Sequence, residues 1–198
     1  MAVKLFNKWN VEGITVLDQG VVDYVTLEPK IVPKTGARYA GQKFHKSRTF
    51  IVERLVNKIM VPGHKSKKHW RSSGHCTGKK QKACNAVEDA FDMIEMKLKK
   101  NPVEVFVQAL VNACPREEIV TIEYGGARYP KSVEVASQRR IDIALRYMVQ
   151  GAYGRSFRSK ISLAQAIADE IMNAYQLSPK SSSVSKKRDL ERQAASAK

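Results

Sequence analysis

Apolar residues recur at spacings of three and four in several segments between residues 51 and 175, and this spacing limits what the chain can fold into. In the first segment, Ile51, Leu55 and Ile59 fall on one helical face. Ser47 is the expected cap of this helix, and Pro62-Gly63 ends it. The pattern predicts four more helices, at about 81–100, 102–113, 137–151 (ending at Gly151) and 162–175.

One segment alternates in the manner of paired β-strands. Apolar and polar residues alternate in residues 120–124 and again in 129–135, on either side of Gly125-Gly126. Two such runs around a Gly-Gly turn predict a β-hairpin, placed at residues 118–136, in which Pro130 permits only an edge strand. An isolated two-stranded ribbon is barely stable in water. We therefore expect the hairpin to project from the helical body and to need a partner surface.

The ends of the chain lack these patterns. Residues 1–46 contain several Gly and Pro residues and predict an extended N-terminal arm that orders on a partner. Residues 63–80 predict a long loop. Residues 178–198 are serine-rich and then charged, which predicts a disordered linker ending in a marginal helix. The expected fold is mainly α: a bundle of about five to six helices at 47–177, with one protruding β-hairpin and an extended N-terminal arm.

The charge of the chain is large and unevenly distributed. There are 35 Lys and Arg residues against 19 Asp and Glu, a net charge of +16. Residues 29–52 and 54–87 contain no acid, whereas four acids cluster within residues 88–95. Like charges repel within a compact protein, so an excess of this size usually has a polyanionic partner. The pattern predicts a positive face that binds nucleic acid, and a lysine-rich, solvated surface is the alternative.

The candidate RNA-binding residues are cations, most of them in stretches without acids. Six ring-bearing side chains lie among the basic residues, which suits base stacking: Tyr39, Phe44, His45, Trp70, Tyr153 and Phe157. Tyr153 and Phe157 equally suit the core. Arg139 and Arg140 lie in the first turn of a helix, where cations oppose the dipole and a phosphate would explain them; reversing both charges is expected to spare the fold. The full set is Lys34, Arg38, Lys43, Lys46, Arg48, Arg54, Lys58, Lys65, Lys67, Lys68, Arg71, Lys79, Lys80, Lys82, Arg116, Arg139, Arg140, Arg155, Arg158 and Lys160.

One stretch of the chain concentrates possible zinc ligands, but their spacing does not favour a metal site. There is no Cys-x-x-Cys pair, and adjacent ligands strain a shared tetrahedral site. The residues are His64, His69, His75, Cys76 and Cys84. We therefore predict no metal there. Instead, we expect these side chains to contact phosphate or to lie in solvent. Because nucleophile-elbow, Walker and zinc-protease motifs are also missing from the sequence, we predict neither catalysis nor a cofactor.

Other observations bound the setting and the function class. No apolar run approaches the roughly 18–20 residues of a membrane span. Residues 1–9 lack the apolar core of a signal peptide, and the three cysteines show no framework spacing, so a reduced, intracellular setting is expected. A chromatin-type DNA-binding protein is one rival, although no short-turn helix-turn-helix is found. A metal-dependent nuclease is another, although it needs clustered acids and the acids here are dispersed.

Ordered motifs along nearly the whole chain resemble one protein family. They are Lys4-Leu5-Phe6-Asn7-Lys8-Trp9, Val52-Glu53-Arg54-Leu55-Val56-Asn57-Lys58, Thr77-Gly78-Lys79-Lys80, Asn101-Pro102-Val103-Glu104-Val105, Gly125-Gly126-Ala127-Arg128-Tyr129, Val133-Glu134-Val135-Ala136-Ser137-Gln138-Arg139-Arg140 and Lys186-Lys187-Arg188-Asp189-Leu190-Glu191-Arg192. The chain resembles the universal small-subunit ribosomal protein family numbered seven in bacteria and five in eukaryotes, in its archaeal and eukaryotic branch. It departs from the family at residues 64–76, where the family typically has only a couple of residues.

The resemblance implies a fold, partners and a location. The fold is a helical domain with a protruding hairpin, which binds the 3′ major (head) domain of small-subunit rRNA and nucleates head assembly. The hairpin lies near the exit-site tRNA and mRNA. Neighbouring head proteins and the protein numbered eleven in bacteria are implied partners, in the cytoplasmic ribosome and without a membrane. The residues expected near the tRNA and mRNA are Gly125, Gly126, Arg128, Tyr129, Lys186, Lys187 and Arg188.

Overall fold

A computed structural model describes residues 3–36, 41–62, 64–65, 68–69 and 76–198. Within these ranges the fold is mainly α, as predicted, with six helices packed around one core. The helices are α1 (Ile51–Ile59), α2 (Lys80–Leu98), α3 (Pro102–Ala113), α4 (Ser137–Ser156), α5 (Leu163–Tyr175) and α6 (Ser182–Ala195). Helix α5 packs against α2, α3 and α4, and α1 packs against α2 and α4.

Local sequence explains where α3 and α5 begin. The Asn101 side chain accepts a hydrogen bond from the Val103 amide at 3.0 Å, and Pro102 fills the first helical position of α3. Ser162 caps α5 in the same way through the Gln165 amide at 3.1 Å. The predicted cap at Ser47 is wrong, because Ser47 lies in a separate 3-10 helix, His45–Arg48, and α1 begins after Phe50.

Helix α4 passes through the glycine that was predicted to end it. It continues beyond Gly151 to Ser156. Helix α6 approaches α4 closely at Gly151, because a Cβ built there would lie 2.6 Å from the Cβ of Ser182. The glycine therefore permits a close helix contact and does not terminate the helix.

The hairpin is present at nearly the predicted place. Its strands are β3 (Glu117–Tyr124) and β4 (Ala127–Glu134), paired antiparallel from Glu117 opposite Glu134 to Tyr124 opposite Ala127. Gly125 and Gly126 form the turn with φ of 57° and 80°, a left-handed pair that glycine adopts without strain. The predicted loop at 63–80 contains a short antiparallel pair of its own, β1 (His64–Lys65) with β2 (Lys68–His69).

Both chain ends pack on the helical body. The described residues of the N-terminal segment form no α-helix, yet Leu5, Trp9 and Val21 are buried in the common core. The Trp9 Nε1 donates to Glu95 at 2.8 Å. The described part of this arm therefore contributes to the core, and the expectation that it orders on a partner stays a prediction. The predicted linker and marginal helix at 178–198 is instead the regular helix α6, with Val184 and Ala194 buried. The predicted boundaries at 46/47 and 177/178 stay predictions.

Candidate nucleic-acid interface

A cluster of cations forms where the 3-10 helix His45–Arg48 and helix α1 meet α4. Lys46 forms an ion pair with Asp142 of α4, and Lys58 of α1 lies close enough to Arg146 of α4 for their charges to interact. We call this surface the basic face, defined by Lys43, Lys46, Arg48, Lys58 and Arg146. Lys43, Arg48 and Arg146 are exposed, and Lys46 and Lys58 are partly exposed.

Lys58 shows why this face favours an anion. Partial burial and the positive charges of Arg146 and Lys46 lower the pKa of Lys58, while Asp142 acts in the opposite direction. Within the described part of the chain, its ammonium has no hydrogen bond or ion pair. A phosphate placed there would offset the repulsion between these cations. The basic face can therefore bind a polyanionic backbone.

Arg54 belongs to the interior beneath this face. Its guanidinium donates to the Tyr24 carbonyl at 3.0 Å and to Asp142 Oδ1 at 3.1 Å, and the residue is buried. The Arg54 side chain is only 6% exposed, so it offers a phosphate almost no accessible surface. We therefore assign Arg54 a structural role in place of the predicted RNA contact. Asp142 links it to Lys46 and thereby orients part of the basic face.

The two arginines at the start of α4 differ. Arg139 is exposed and donates through two nitrogens to Glu118 of the hairpin base, at 2.7 and 2.8 Å. Arg140 is buried and donates to the Pro115 carbonyl at 3.0 Å and to Asp18 at 2.6 Å. Carboxylates of this chain, and not a phosphate, thus explain both cations. The RNA contact predicted for Arg140 is replaced by a structural role.

At the start of α2, one lysine is occupied by the protein and two are exposed. Lys80 forms an ion pair with the buried Glu53 at 2.7 Å, and Thr35 donates to the same carboxylate oxygen through its amide at 2.8 Å. Lys79 and Lys82 are exposed and remain candidates for RNA contact. Lys34 and Arg116 are also exposed.

The last turn of α4 and the loop that follows it carry three more predicted residues. Arg155 donates to the Lys180 carbonyl and lies 3.8 Å from Glu170, so it mainly joins α4 to the segment before α6. Arg158 lies over the Phe157 ring, 5.4 Å from its centroid, and Lys160 is exposed. Arg158 and Lys160 remain candidates for RNA contact.

Several predicted positions lie outside the residues whose side chains the structure describes. They are Arg38, Lys65, Lys67, Lys68 and Arg71 of the RNA-binding set, and His64, His69 and His75 of the zinc set. Cys76 is partly exposed and Cys84 is buried. Within the described side chains, no three His, Cys, Asp or Glu residues form a group that could hold a metal ion. The prediction of no metal in this stretch stays a prediction.

The hairpin tip differs chemically from the basic face. Gly125, Gly126, Arg128 and Tyr129 are exposed at the tip, and Tyr124 is 81% exposed. The strands carry four acids and only two cations, so the tip offers aromatic and apolar surface more than positive charge. The acids are Glu117, Glu118, Glu123 and Glu134, and the cations are Arg128 and Lys131.

The three cations predicted near tRNA and mRNA on α6 have different surroundings. Lys186 lies over the Tyr147 ring at 4.7 Å, and Lys187 donates to the Asn112 carbonyl at 2.9 Å. Arg188 is exposed and donates to the Leu177 carbonyl at 3.3 Å. Lys187 therefore helps to hold α6 on α3, whereas Arg188 faces solvent.

Arg146 was missing from the predicted set although the sequence contained a signal for it. Arg139, Asp142 and Arg146 recur at spacings of three and four, along a different stripe of α4 from the buried Ile141 and Leu145. Arg146 also lies in a stretch without acids. The helical period and the charge pattern, taken together, would have placed it on the basic face.

None of the helices in the described ranges is both long and apolar enough to cross a bilayer. Residues 22–198 match the family described as ribosomal protein S7p/S5e. The chain is 46% identical over 198 residues to the small ribosomal subunit protein uS7 of Nanoarchaeum equitans, covering all of both chains. It is 45% identical over 194 residues to the protein of the same name from Archaeoglobus fulgidus, covering 98% of this chain and 94% of the relative. The family resemblance is thereby confirmed, and the chain is a ribosomal protein of the S7p/S5e family.

Proposed function

We propose that this chain is a structural component of the small ribosomal subunit that binds the 3′ major (head) domain of the rRNA and nucleates head assembly. The names of the archaeal relatives support the subunit assignment. The basic face is the observation that carries RNA binding, because Lys58 and Arg146 present adjacent positive charge that no described acceptor neutralises fully. Structured rRNA supplies phosphate at the density that such a face requires.

The hairpin and α6 have a second role in this proposal, because both lie near the exit-site tRNA and the mRNA. The hairpin presents its exposed aromatic tip and Arg128 to these strands. Arg139 and Glu118 hold its base against α4, so its direction is set by the helical body. Neighbouring head proteins, including the protein numbered eleven in bacteria, complete the partners.

The proposed role is structural and involves no catalysis and no cofactor. The family is one of ribosomal proteins, whose place of work is the cytoplasmic ribosome. The charged residues described above either hold elements of the fold together through ion pairs or bind phosphate. Neither role requires a bond to be made or broken.

Binding to isolated RNA domains tests this function. The wild-type chain should bind a transcript of the 3′ major domain more tightly than a 5′-domain transcript of equal length or duplex DNA. Lys58→Glu with Arg146→Glu should weaken binding to the 3′ major domain by at least tenfold. The matched control is Lys4→Glu with Lys99→Glu, which makes the same change in net charge at two exposed lysines outside the basic face. Equal binding to all three nucleic acids, or equal losses of affinity in the two double variants, would contradict the proposal.

A further inference from the structure

Phe44 is an aromatic residue presented to solvent in an unfavourable backbone conformation. The residue is 66% exposed, whereas Phe50, Phe91 and Phe106 are fully buried. Its backbone is left-handed, with φ of 59° and ψ of 2°. A residue with a Cβ is sterically disfavoured in this region, and glycine is not. Neither burial of the ring nor backbone preference therefore explains a phenylalanine at this position.

The segment that carries Phe44 is fixed to the body. The Phe44 carbonyl accepts from the Ser47 amide at 2.9 Å, which begins the 3-10 helix His45–Arg48. Ser47 is buried, and its carbonyl accepts from Thr26 Oγ1 at 2.6 Å. The ion pair of Lys46 with Asp142 holds the same turn to α4. The ring is thus held outward by a turn that is anchored on both sides.

The surroundings of the ring indicate what it meets. Lys43 and Arg48 are exposed beside it, Lys46 is partly exposed, and residues 29–52 contain no acid. Within the described residues, the Phe44 ring makes no aromatic or cation–π contact. An exposed ring between phosphate-binding cations is the arrangement by which proteins stack an unpaired nucleobase. A protein partner with an apolar surface would have to bury these cations at a desolvation cost.

We propose that Phe44 is a base-stacking site on the basic face, which takes one unpaired nucleobase of the bound RNA. The inference rests on the proposed function. It adds an uncharged contact that depends on an unpaired base being available at this point of the RNA. The left-handed backbone is retained because it directs the ring away from the body, towards the nucleic acid.

Replacement by glycine separates binding from folding. Phe44→Gly should lower affinity for the 3′ major domain about 5- to 150-fold, the range for removing one stacked base. The slope of log affinity against log salt should stay unchanged, because no charge is removed. The thermal midpoint should stay equal or rise, because glycine suits φ of 59°. Phe44→Trp should bind at least as tightly as wild type, and the affinity of Phe44→Leu should fall nearly as far as that of Phe44→Gly.

Met96→Ala is the matched control, since Met96 is 72% exposed on the acidic helix α2 and its replacement should leave RNA affinity unchanged. Wild-type affinity in Phe44→Gly or Phe44→Leu would overturn the stacking site, as would a fall in stability that accounts for the weaker binding. If the wild-type chain itself fails to bind the RNA, the proposed function fails and the inference fails with it. A photo-crosslinking amino acid at position 44 in assembled subunits should label rRNA, and labelling of protein alone would also overturn the stacking site.

Discussion

Arg139 and Arg140 are neighbours in sequence with opposite surroundings. Successive side chains on a helix point about 100° apart, so one arginine faces solvent beside the hairpin and the other faces the interior. The Arg139 side chain is 55% exposed, whereas that of Arg140 is 10% exposed and its ion-pair partner Asp18 is 18% exposed. Burial alone raises the pKa of Asp18, but the hydrogen bonds from Arg140 and from the Gly20 amide outweigh it and keep the pKa below its ordinary value. The buried arginine therefore holds the N-terminal segment to α4.

Alanine at these two positions should separate a structural cation from an exposed one. Arg140→Ala should lower the free energy of unfolding by about 3–5 kcal/mol, because it leaves Asp18 and the Pro115 carbonyl without their buried donor. Arg139→Ala should cost about 1 kcal/mol or less, since the Arg139 side chain is 55% exposed and Glu118 regains contact with water when the arginine is removed. Urea unfolding of the two variants measures the difference. Equal decreases in stability would show that the burial of Arg140 is not what makes it important. The expectation that reversing both charges spares the fold would stand only if both decreases were small.

Glu53 gives a prediction about pH. Burial alone raises the pKa of Glu53, but hydrogen bonds from Lys80 and Thr35, with the charge of Lys80, outweigh it and place the pKa below its ordinary value of 4.5. Ionised Glu53 therefore stabilises the fold above about pH 4.5, and this contribution is lost as the pH falls through the folded-state pKa. Glu53→Gln should cost about 1–3 kcal/mol at pH 7, and its difference from wild type should shrink towards pH 3.

Urea unfolding between pH 3 and pH 7 measures this difference. Glu12→Gln, which removes an exposed carboxylate, is the control and should follow the wild-type curve. A difference between Glu53→Gln and wild type that is the same at both ends of the pH range would show that the ionised form of Glu53 is not what stabilises the fold.

Helix α6 is held on the bundle by a buried polar contact beside a glycine. Glu170 of α5 is fully buried, and one of its oxygens accepts from Ser181 Oγ at 2.8 Å and from the Ser183 amide at 2.9 Å. A carboxylate at a helix N-terminus is favourable because unpaired amides and the helix dipole face it. Gly151 of α4 leaves the space in which the first turn of α6 approaches. Gly151 and Glu170 therefore position the C-terminal helix, which in turn packs on the hairpin.

Gly151→Ala tests this close contact between helices. On helix propensity alone, alanine should stabilise α4 by about 1 kcal/mol. Its Cβ would lie 2.6 Å from the Cβ of Ser182, and overpacking of this kind costs about 1–3 kcal/mol, so the net result should be a lower thermal midpoint. Adding Ser182→Gly should restore most of the midpoint, because it removes the opposing Cβ. A midpoint that rises in the single variant would mean that α6 is not in contact at this point.

At the scale of the molecule, charge is divided between surfaces. Lys8 of the N-terminal segment lies between Glu88 and Asp92 of α2, at 2.9 Å from each, so the acidic cluster is partly neutralised by the chain itself. The basic face has only Asp142 as an acid contact among its described residues. The net charge of +16 is therefore concentrated away from α2, where a polyanion can neutralise it.

Binding to rRNA should depend steeply on salt. If six to ten phosphates are neutralised, log affinity should fall against log salt with a slope of roughly −4 to −9. Lys58→Glu should reduce the steepness by about one, since a phosphate that the protein no longer neutralises keeps its own counterion when the complex forms. Filter binding between 50 and 300 mM salt, a range of about sixfold, measures both slopes. A slope near −1 would contradict binding through the basic face.

The sequence by itself determined the helices α1, α2, α3 and α5, the hairpin, the charge and the family, because these depend on local spacing or on motifs. Periodicity at three and four residues reports which face of a helix is apolar, whatever lies opposite. It could not show which cations are free. Arg140 meets Asp18, 122 residues away, and Arg54 meets Asp142, 88 residues away. Only the tertiary structure brings such pairs together and buries them. A buried cation stays paired with its carboxylate, because leaving either buried charge without its partner would be costly. Gly151 is a similar case. The sequence predicts a helix end there, whereas in the structure α4 continues and α6 packs closely against this glycine.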